Sequence, residues 1–295
     1  MKEYLVGFWK EFEYSDDDAA YLLDVYDQIM SNQETEKAWN TLLNCYGQDI
    51  RYPWKKLMEG ADPIADALKI HQYTVHLLLA QCLSRRLRAE YEKQGLDIEM
   101  YHNAMLDIRY KLEECKLVRG IVGTFVFGWF GRFFDVTRFA IGRLQFELIP
   151  FGKSYEKNGL VLTPENVVIN VHIPRTCTPL DEKSCDEAFK RAKEFYQVRG
   201  EIGKPCVFYC SSWLLYPENR NILSPKSNVY KFMERFDVFD HKITPDGNDL
   251  WRLFDTDEKN PDRLPTDTFM RRAYVQHLKN GGRTGTGRGV YLHAD

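Results

Sequence analysis

Hydrophobic and polar residues change their period partway along the chain. Over the first 120 or so positions the apolar residues recur every three or four, as on a helix face. Ser15 precedes Asp16, Asp17 and Asp18, and Leu22, Val25, Tyr26 and Ile29 then share one stripe. The Ser15–Asp18 spacing is a variant of the capping box, so a helix starts there. A second helix is expected over 34–46, stopping near Gly47. Pro63 is expected to open a long helix carrying Ile64, Leu68, His71, Val75, Leu79 and Cys82 along one side. Asp97 opens the next, where Ile98, Tyr101, Met105, Ile108, Leu112 and Cys115 alternate by three and four. A bundle of about four helices accounts for this section.

After Gly120 the period shortens. Phe139, Ile141, Leu144, Phe146 and Leu148 follow strand alternation, with a change of parity near Gly142 that predicts a bulge or bend. A short strand is expected over 159–163, another over 167–173, a helix over 181–198, and a buried strand over 206–215. Pro225 sits well at the first position of a helix running to 236. Residues 250–254 read as a strand. Thr266 or Asp267 caps a helix ending at Gly281-Gly282, and 289–293 forms a last strand. The fold class is α+β: a helical N-terminal domain over 1–133, then a mixed β-sheet domain with flanking helices over 134–295.

Composition narrows the function classes. A net charge of −3 gives no general attraction to nucleic acid or to an anionic membrane. The seven cysteines contain no CxxC pair, which argues against a zinc site and fits reduced thiols in the cytoplasm. Cys210 and Cys177 are candidate nucleophiles, but Cys210 lies in an apolar run where buried thiols are inert, and no His/Asp partner is spaced to suggest a triad for either. No apolar run reaches the roughly 20 residues of a membrane helix. The nearest stretch, 121–134, holds Arg132 and three glycines. The Asp16–Asp18 run suits a helix N-terminus. Asp255, Asp257 and Glu258 lack the glycine and terminal glutamate of a calcium loop. No metal, nucleic-acid or membrane partner is expected, and a homodimer is allowed.

The segment 167–196 carries the chemistry. It reads as a β-branched strand, the turn Arg175-Thr176-Cys177-Thr178-Pro179-Leu180, and an amphipathic helix. A strand that feeds a helix through such a turn aims unpaired amides at one point, and that point attracts anions. A phosphate-bearing cofactor is its natural occupant, with Arg175 as a phosphate ligand.

Four stretches then carry a family resemblance: GRLQFEL (142–148), NVHIPRTCTPL (170–180), SSWLLYPEN (211–219) and LWRLF (250–254). With the helix-then-sheet order, the chain resembles the GNAT superfamily of acyl-CoA N-acyltransferases. More narrowly, it resembles bacterial proteins with a helical N-terminal domain and a GNAT-like C-terminal domain. The resemblance implies a mixed GNAT-like sheet and transfer of an acyl group, acetyl first among them, from acyl-CoA to an amine. The acceptor would be a small molecule or peptide, and its amine would attack the thioester directly. A backbone N–H at a splay between two parallel strands would polarise the carbonyl.

It further implies that the 175–180 turn holds the pyrophosphate of coenzyme A through Arg175, Thr176, Cys177, Thr178 and Leu180. The family's turn usually reads Gln/Arg-x-x-Gly-x-Gly/Ala; this one has no glycine, and Pro179 removes a donor. Many members protonate the departing thiolate with a tyrosine on the helix after the fifth strand. By spacing Met233 falls near that position, with Tyr230 one turn earlier.

Glu147 or His172 is the candidate base. Glu147 reads alternatively as a solvated strand carboxylate paired with Arg143, and His172 as a histidine satisfied by a neighbour on a polar strand face. The glycine-dense segment 281–289 reads as a phosphate nest or as a flexible connection before the last strand. A second function class stays open: a catalytically degenerate GNAT-like module that binds a ligand or scaffolds a partner.

Overall fold

The computed structural model describes residues 1–293. The chain divides into two units, with the first ending at Phe139 and the second starting at Ala140. No helix among the described residues is long and apolar enough to cross a membrane.

The first unit is helical: α1 (Lys2–Glu11), α2 (Asp16–Ser31), α3 (Gln33–Gln48), α4 (Trp54–Leu68), α5 (Gln72–Gln94), α6 (Ile98–Arg119) and α7 (Phe127–Phe134). Caps set several boundaries. The Ser15 hydroxyl accepts from the Asp18 amide at 3.2 Å and donates to its carboxylate at 2.7 Å. Asp97 accepts from Glu99 N, and Gly120 closes α6 in the left-handed region. The helix expected to open at Pro63 is in fact two. Pro63 lies inside α4, Lys69 turns the chain at φ 56°, and the His71 ring caps α5 by accepting from Tyr73 N. The apolar period runs through this break because both helices bury against one core. Helix α5 is the centre of that core, buried on every side from 74 to 84. Its buried Gln81 accepts from Trp9 Nε1 at 3.0 Å, on the short helix α1, which has no side-chain cap to mark its start.

The second unit contains β1 (Arg138–Ile141, beginning in the last residues of the first unit), β2 (Leu144–Pro150), β3 (Tyr155–Lys157), β4 (Leu160–Leu162), β5 (Val167–His172), α8 (Glu182–Val198) and β6 (Val207–Ser212). There follow α9 (Asn219–Ile222), α10 (Asn228–Met233), β7 (Asp237–Ile243), α11 (Trp251–Phe254), α12 (Phe269–Lys279) and β8 (Gly285–Leu292). Six strands form one sheet in the order β1-β2-β5-β6-β8-β7, and β3-β4 is a separate hairpin. Strands β5 and β6 run parallel; β2–β5, β6–β8 and β7–β8 run antiparallel. The parity change near Gly142 is a two-residue turn between β1 and β2, with Gly142 at φ 59°.

One sheet face is apolar. Phe146, Phe208 and Tyr291 meet Phe189 of α8 with ring centroids 6.0, 4.9 and 5.0 Å away. On the other face Val168, Val207, Tyr209 and Val290 pack with Phe151, Leu162, Tyr155 and Phe239, so the β3-β4 hairpin covers that end.

Several expected elements differ. In place of the strand expected over 250–254 there is helix α11, Trp251–Phe254, whose Leu253 and Phe254 join a cluster with Tyr274 and Val275 of α12. The edge strand is instead β7, with a bulge between Val238 and Asp240. A five-residue apolar run does not separate helix from strand, and a half-exposed edge strand shows little alternation. Strand β6 stops at Ser212, followed by a 3₁₀ turn over Trp213–Leu215. The helix expected from Pro225 starts later, capped by Ser227. The glycine-dense segment is largely strand β8. A Cβ at Gly287 would overlap the Leu215 carbonyl, and one at Gly289 would sit 2.8 Å from Phe236 Cβ. Glycine there allows the 213–216 segment to lie directly on the strand.

Candidate active site

The parallel strands β5 and β6 pair at Ile169–Phe208 and Asn170–Tyr209. Beyond that point β5 continues to His172, still paired with β2 through His172–Gln145. Strand β6 continues to Ser212, still paired with β8 through Ser212–Gly287. Each strand stays with its outer neighbour, so the sheet opens between β5 and β6.

A polar group stands beside this opening. Gln145 pairs with His172 and Glu147 with Asn170 across β2 and β5, so all four side chains share one face. Glu147 Oε1 lies 2.6 Å from His172 Nε2 and accepts from Asn170 Nδ2 at 3.1 Å. Asn170 Nδ2 is also 3.0 Å from His172 Nε2. Glu147 is buried, 5% exposed. It is therefore not the solvated strand carboxylate of the alternative reading. With Nε2–H turned to the carboxylate, Nδ1 is the basic nitrogen of His172. A buried carboxylate also stabilises the imidazolium that proton uptake creates. The pair can thus take a proton from an attacking group.

Two further residues on this face were missed from sequence. Gln145 is 1% exposed, and its Oε1 has no hydrogen-bond partner among the described residues. Tyr209 lies level with Asn170, and burial raises its phenol above the usual 10.0. The signal was present in the alternation of 207–212, but an aromatic in a buried strand reads as core.

The 173–181 turn follows β5 directly. Arg143 gathers its carbonyls: Nε donates to Thr178 O at 3.1 Å and Pro179 O at 3.2 Å, and Nη1 to Pro174 O at 3.0 Å. Thr176 Oγ1 accepts from Thr178 N at 3.3 Å and lies 2.9 Å from Thr178 Oγ1. Asp181 caps α8 by accepting from Ser184 N at 2.9 Å, and that amide holds its carboxyl below the usual 3.8. The anion nearest the helix start is thus supplied by the chain itself. Arg175 pairs with Asp255, which also accepts from Arg271 Nη2 at 2.6 Å. Two cations share that one carboxylate. Cys177 is exposed and Leu180 half-buried.

On α10, Met233 is wholly buried and Tyr230 half-buried. Of the two, Tyr230 carries the hydroxyl and is accessible. Among the described residues no hydrogen bond joins Tyr230 to Glu147 or His172. The buried thiol of Cys210 is pushed far up by desolvation and is inert.

Comparison with known proteins accords with this architecture. Residues 3–136 match the family model of the N-acyltransferase N-terminal domain, and residues 139–291 that of the GNAT-like C-terminal domain. The second match spans more than half of the chain, and the chain belongs to this GNAT-like N-acyltransferase family. Among solved structures, an acyltransferase mutant in complex with octanoyl-CoA is 19% identical, with 99% of this chain and 88% of that chain covered and a TM-score of 0.74. An acyltransferase in complex with decanoyl-CoA and teicoplanin is 20% identical over 96% of this chain and 86% of that one, TM-score 0.72. A further acyltransferase in complex with decanoyl-CoA is 16% identical over 98% and 99%, TM-score 0.68. At these identities the likeness is one of fold. A comparison with curated proteins returns no match.

Proposed function

We propose that the chain is an acyl-CoA-dependent N-acyltransferase. The observation that carries this is the pair of buried Glu147 and half-buried His172, 2.6 Å apart, beside the opening of the sheet between β5 and β6. In the proposed reaction His172 takes a proton from the acceptor amine, and Glu147 holds the resulting imidazolium. The nitrogen attacks the thioester carbonyl, the C–N bond forms and the C–S bond breaks. Backbone N–H groups at the opening polarise the carbonyl, and Tyr230 is the proposed donor to the departing thiolate.

The 175–180 turn is the proposed pyrophosphate site, with Arg175, Thr176, Cys177, Thr178 and Leu180 around it. Arg175 would have to exchange Asp255 for a phosphate, and Asp255 keeps Arg271 when it does. The family resemblance implies acetyl as the acyl group. The octanoyl and decanoyl donors of the similar structures support a medium-chain group as well, and teicoplanin in one of them supports an acceptor larger than a simple amine.

One set of observations favours the non-catalytic module: the Arg175–Asp255 pair and the Asp181 cap already satisfy charges in the turn. Acyl-CoA separates the two readings. Octanoyl-CoA is expected to raise the unfolding midpoint and to release thiol when an amine is added. His172→Ala is expected to lower kcat by about 10²–10⁴-fold, and added imidazole to restore part of it. Turnover untouched in His172→Ala would remove the base assignment. No stabilisation at millimolar acyl-CoA would favour the module.

A further inference from the structure

The strand register draws a polar row across the face that carries Glu147 and His172. Gln145 pairs with His172, Ser211 with Arg288, and Arg288 with Asp240. Asn170 is level with Tyr209 on the parallel neighbour, so His172 and Ser211, each two residues further on, face each other across the opening. Arg288 is therefore two strands from His172, and the opening between β5 and β6 makes their backbone separation more than the ~10 Å of two ordinary strand spacings.

The far end of this row is short of negative charge. Arg288 Nη1 donates to Asp240 Oδ2, and Lys153 Nζ donates to the same oxygen at 3.3 Å. Asp237, on the same strand as Asp240, is engaged by Lys157 at 2.6 Å and by the Tyr155 hydroxyl at 2.8 Å. Two cations thus share one carboxylate, with side chains 25% (Arg288), 35% (Lys153) and 36% (Asp240) exposed. One more anion would balance the cluster, and solvent reaches it.

Resting on the acyltransferase reading, we propose that Arg288, with Lys153, sets acceptor specificity by binding a carboxylate of the amine substrate. The acceptor would be an amino-carboxylate whose acid group stands at least about 10 Å from the nucleophilic nitrogen, the span of an extended tripeptide or longer. The carboxylate is unchanged in the reaction: the amine nitrogen gains the acyl group, its proton leaves through His172, and the thiolate of coenzyme A departs. An Arg288 guanidinium suits this task because its planar donors match a carboxylate pairwise.

The test uses the full chain, octanoyl-CoA as donor, and triglycine and triglycinamide as acceptors, with thiol release as the readout. The unfolding midpoint with octanoyl-CoA alone is measured in parallel. The ratio of kcat/KM for acid over amide is expected to be at least about tenfold, the scale of a charge-assisted hydrogen bond. Arg288→Gln is expected to collapse the ratio toward one while octanoyl-CoA still raises its midpoint. Asp240→Asn, which releases Arg288 from its internal partner, is expected to raise the ratio. Should Arg288→Gln fail to fold, Asp240→Asn decides alone. Equal rates for acid and amide, or a ratio that neither variant moves, overturn the carboxylate assignment and leave the acyltransferase reading standing. An absence of both stabilisation and turnover with any amine overturns that reading and this proposal together.

Discussion

Burying a carboxylate costs several kcal/mol unless partners replace its water. Glu147 has such partners in His172 and Asn170. Gln145, one pleat away, is the opposite case: its buried Oε1 lacks a partner among the described residues, a condition that costs about 1–3 kcal/mol. Groups kept at such a cost cluster at functional sites. Gln145→Met is therefore expected to gain about 1–2 kcal/mol in urea denaturation and to lose thiol-release activity. A variant that is fully active and less stable would contradict this. At this scale the sequence showed much of the site, since alternation alone puts Asn170 and His172 on one side of β5. It did not show that Glu147 meets His172, because that contact, between residues 25 positions apart, depends on the register of β2 against β5.

Among the elements, the β3-β4 hairpin has the least support of its own. Two three-residue strands are unstable alone in water. Tyr155, Leu160 and Leu162 pack on the sheet, and Asp237 ties the hairpin down through Lys157 and Tyr155. The Lys157 ammonium holds the Asp237 carboxyl below its usual 3.8. A carboxyl depressed in the folded state adds stability above its unfolded pKa and loses it as pH falls through the folded value. Amide NMR shifts over 155–162 are thus expected to hold constant down to about pH 4 and to move toward unfolded values below it. In Lys157→Met that acid step is expected to weaken. A hairpin whose acid step is the same with and without Lys157 would sink this account. Element identity was well signalled where caps were present, as at Ser15, Asp97 and Asp181. It was poorly signalled in β7 and α11, where short runs take their form from what they pack against.

Across the whole molecule, the helical unit and the sheet unit each bury a core of their own. The proposed donor site draws on β5, the turn after it and β6. Hydrogen exchange with saturating octanoyl-CoA is expected to slow the amides of 173–181 and 207–212. Ligand present at about 100 times its Kd adds roughly 2.7 kcal/mol to the state that binds it. Protection confined to α1–α6 would place the donor elsewhere.

The order of helices followed by a mixed sheet, the strand–turn–helix at 167–196 and the helix starts at Ser15, Asp97 and Asp181 were written in the sequence, because period and capping act within a few residues; the caps at His71, Ser227 and Thr268 were not, the last lying one or two residues beyond the expected Thr266 or Asp267. The tertiary structure alone decided that Arg175 meets an aspartate 80 positions away, that the sheet opens beyond Asn170 and Tyr209, and that His172 and Arg288 stand in one polar row. These follow from register and packing between segments far apart in the chain, which no local pattern encodes.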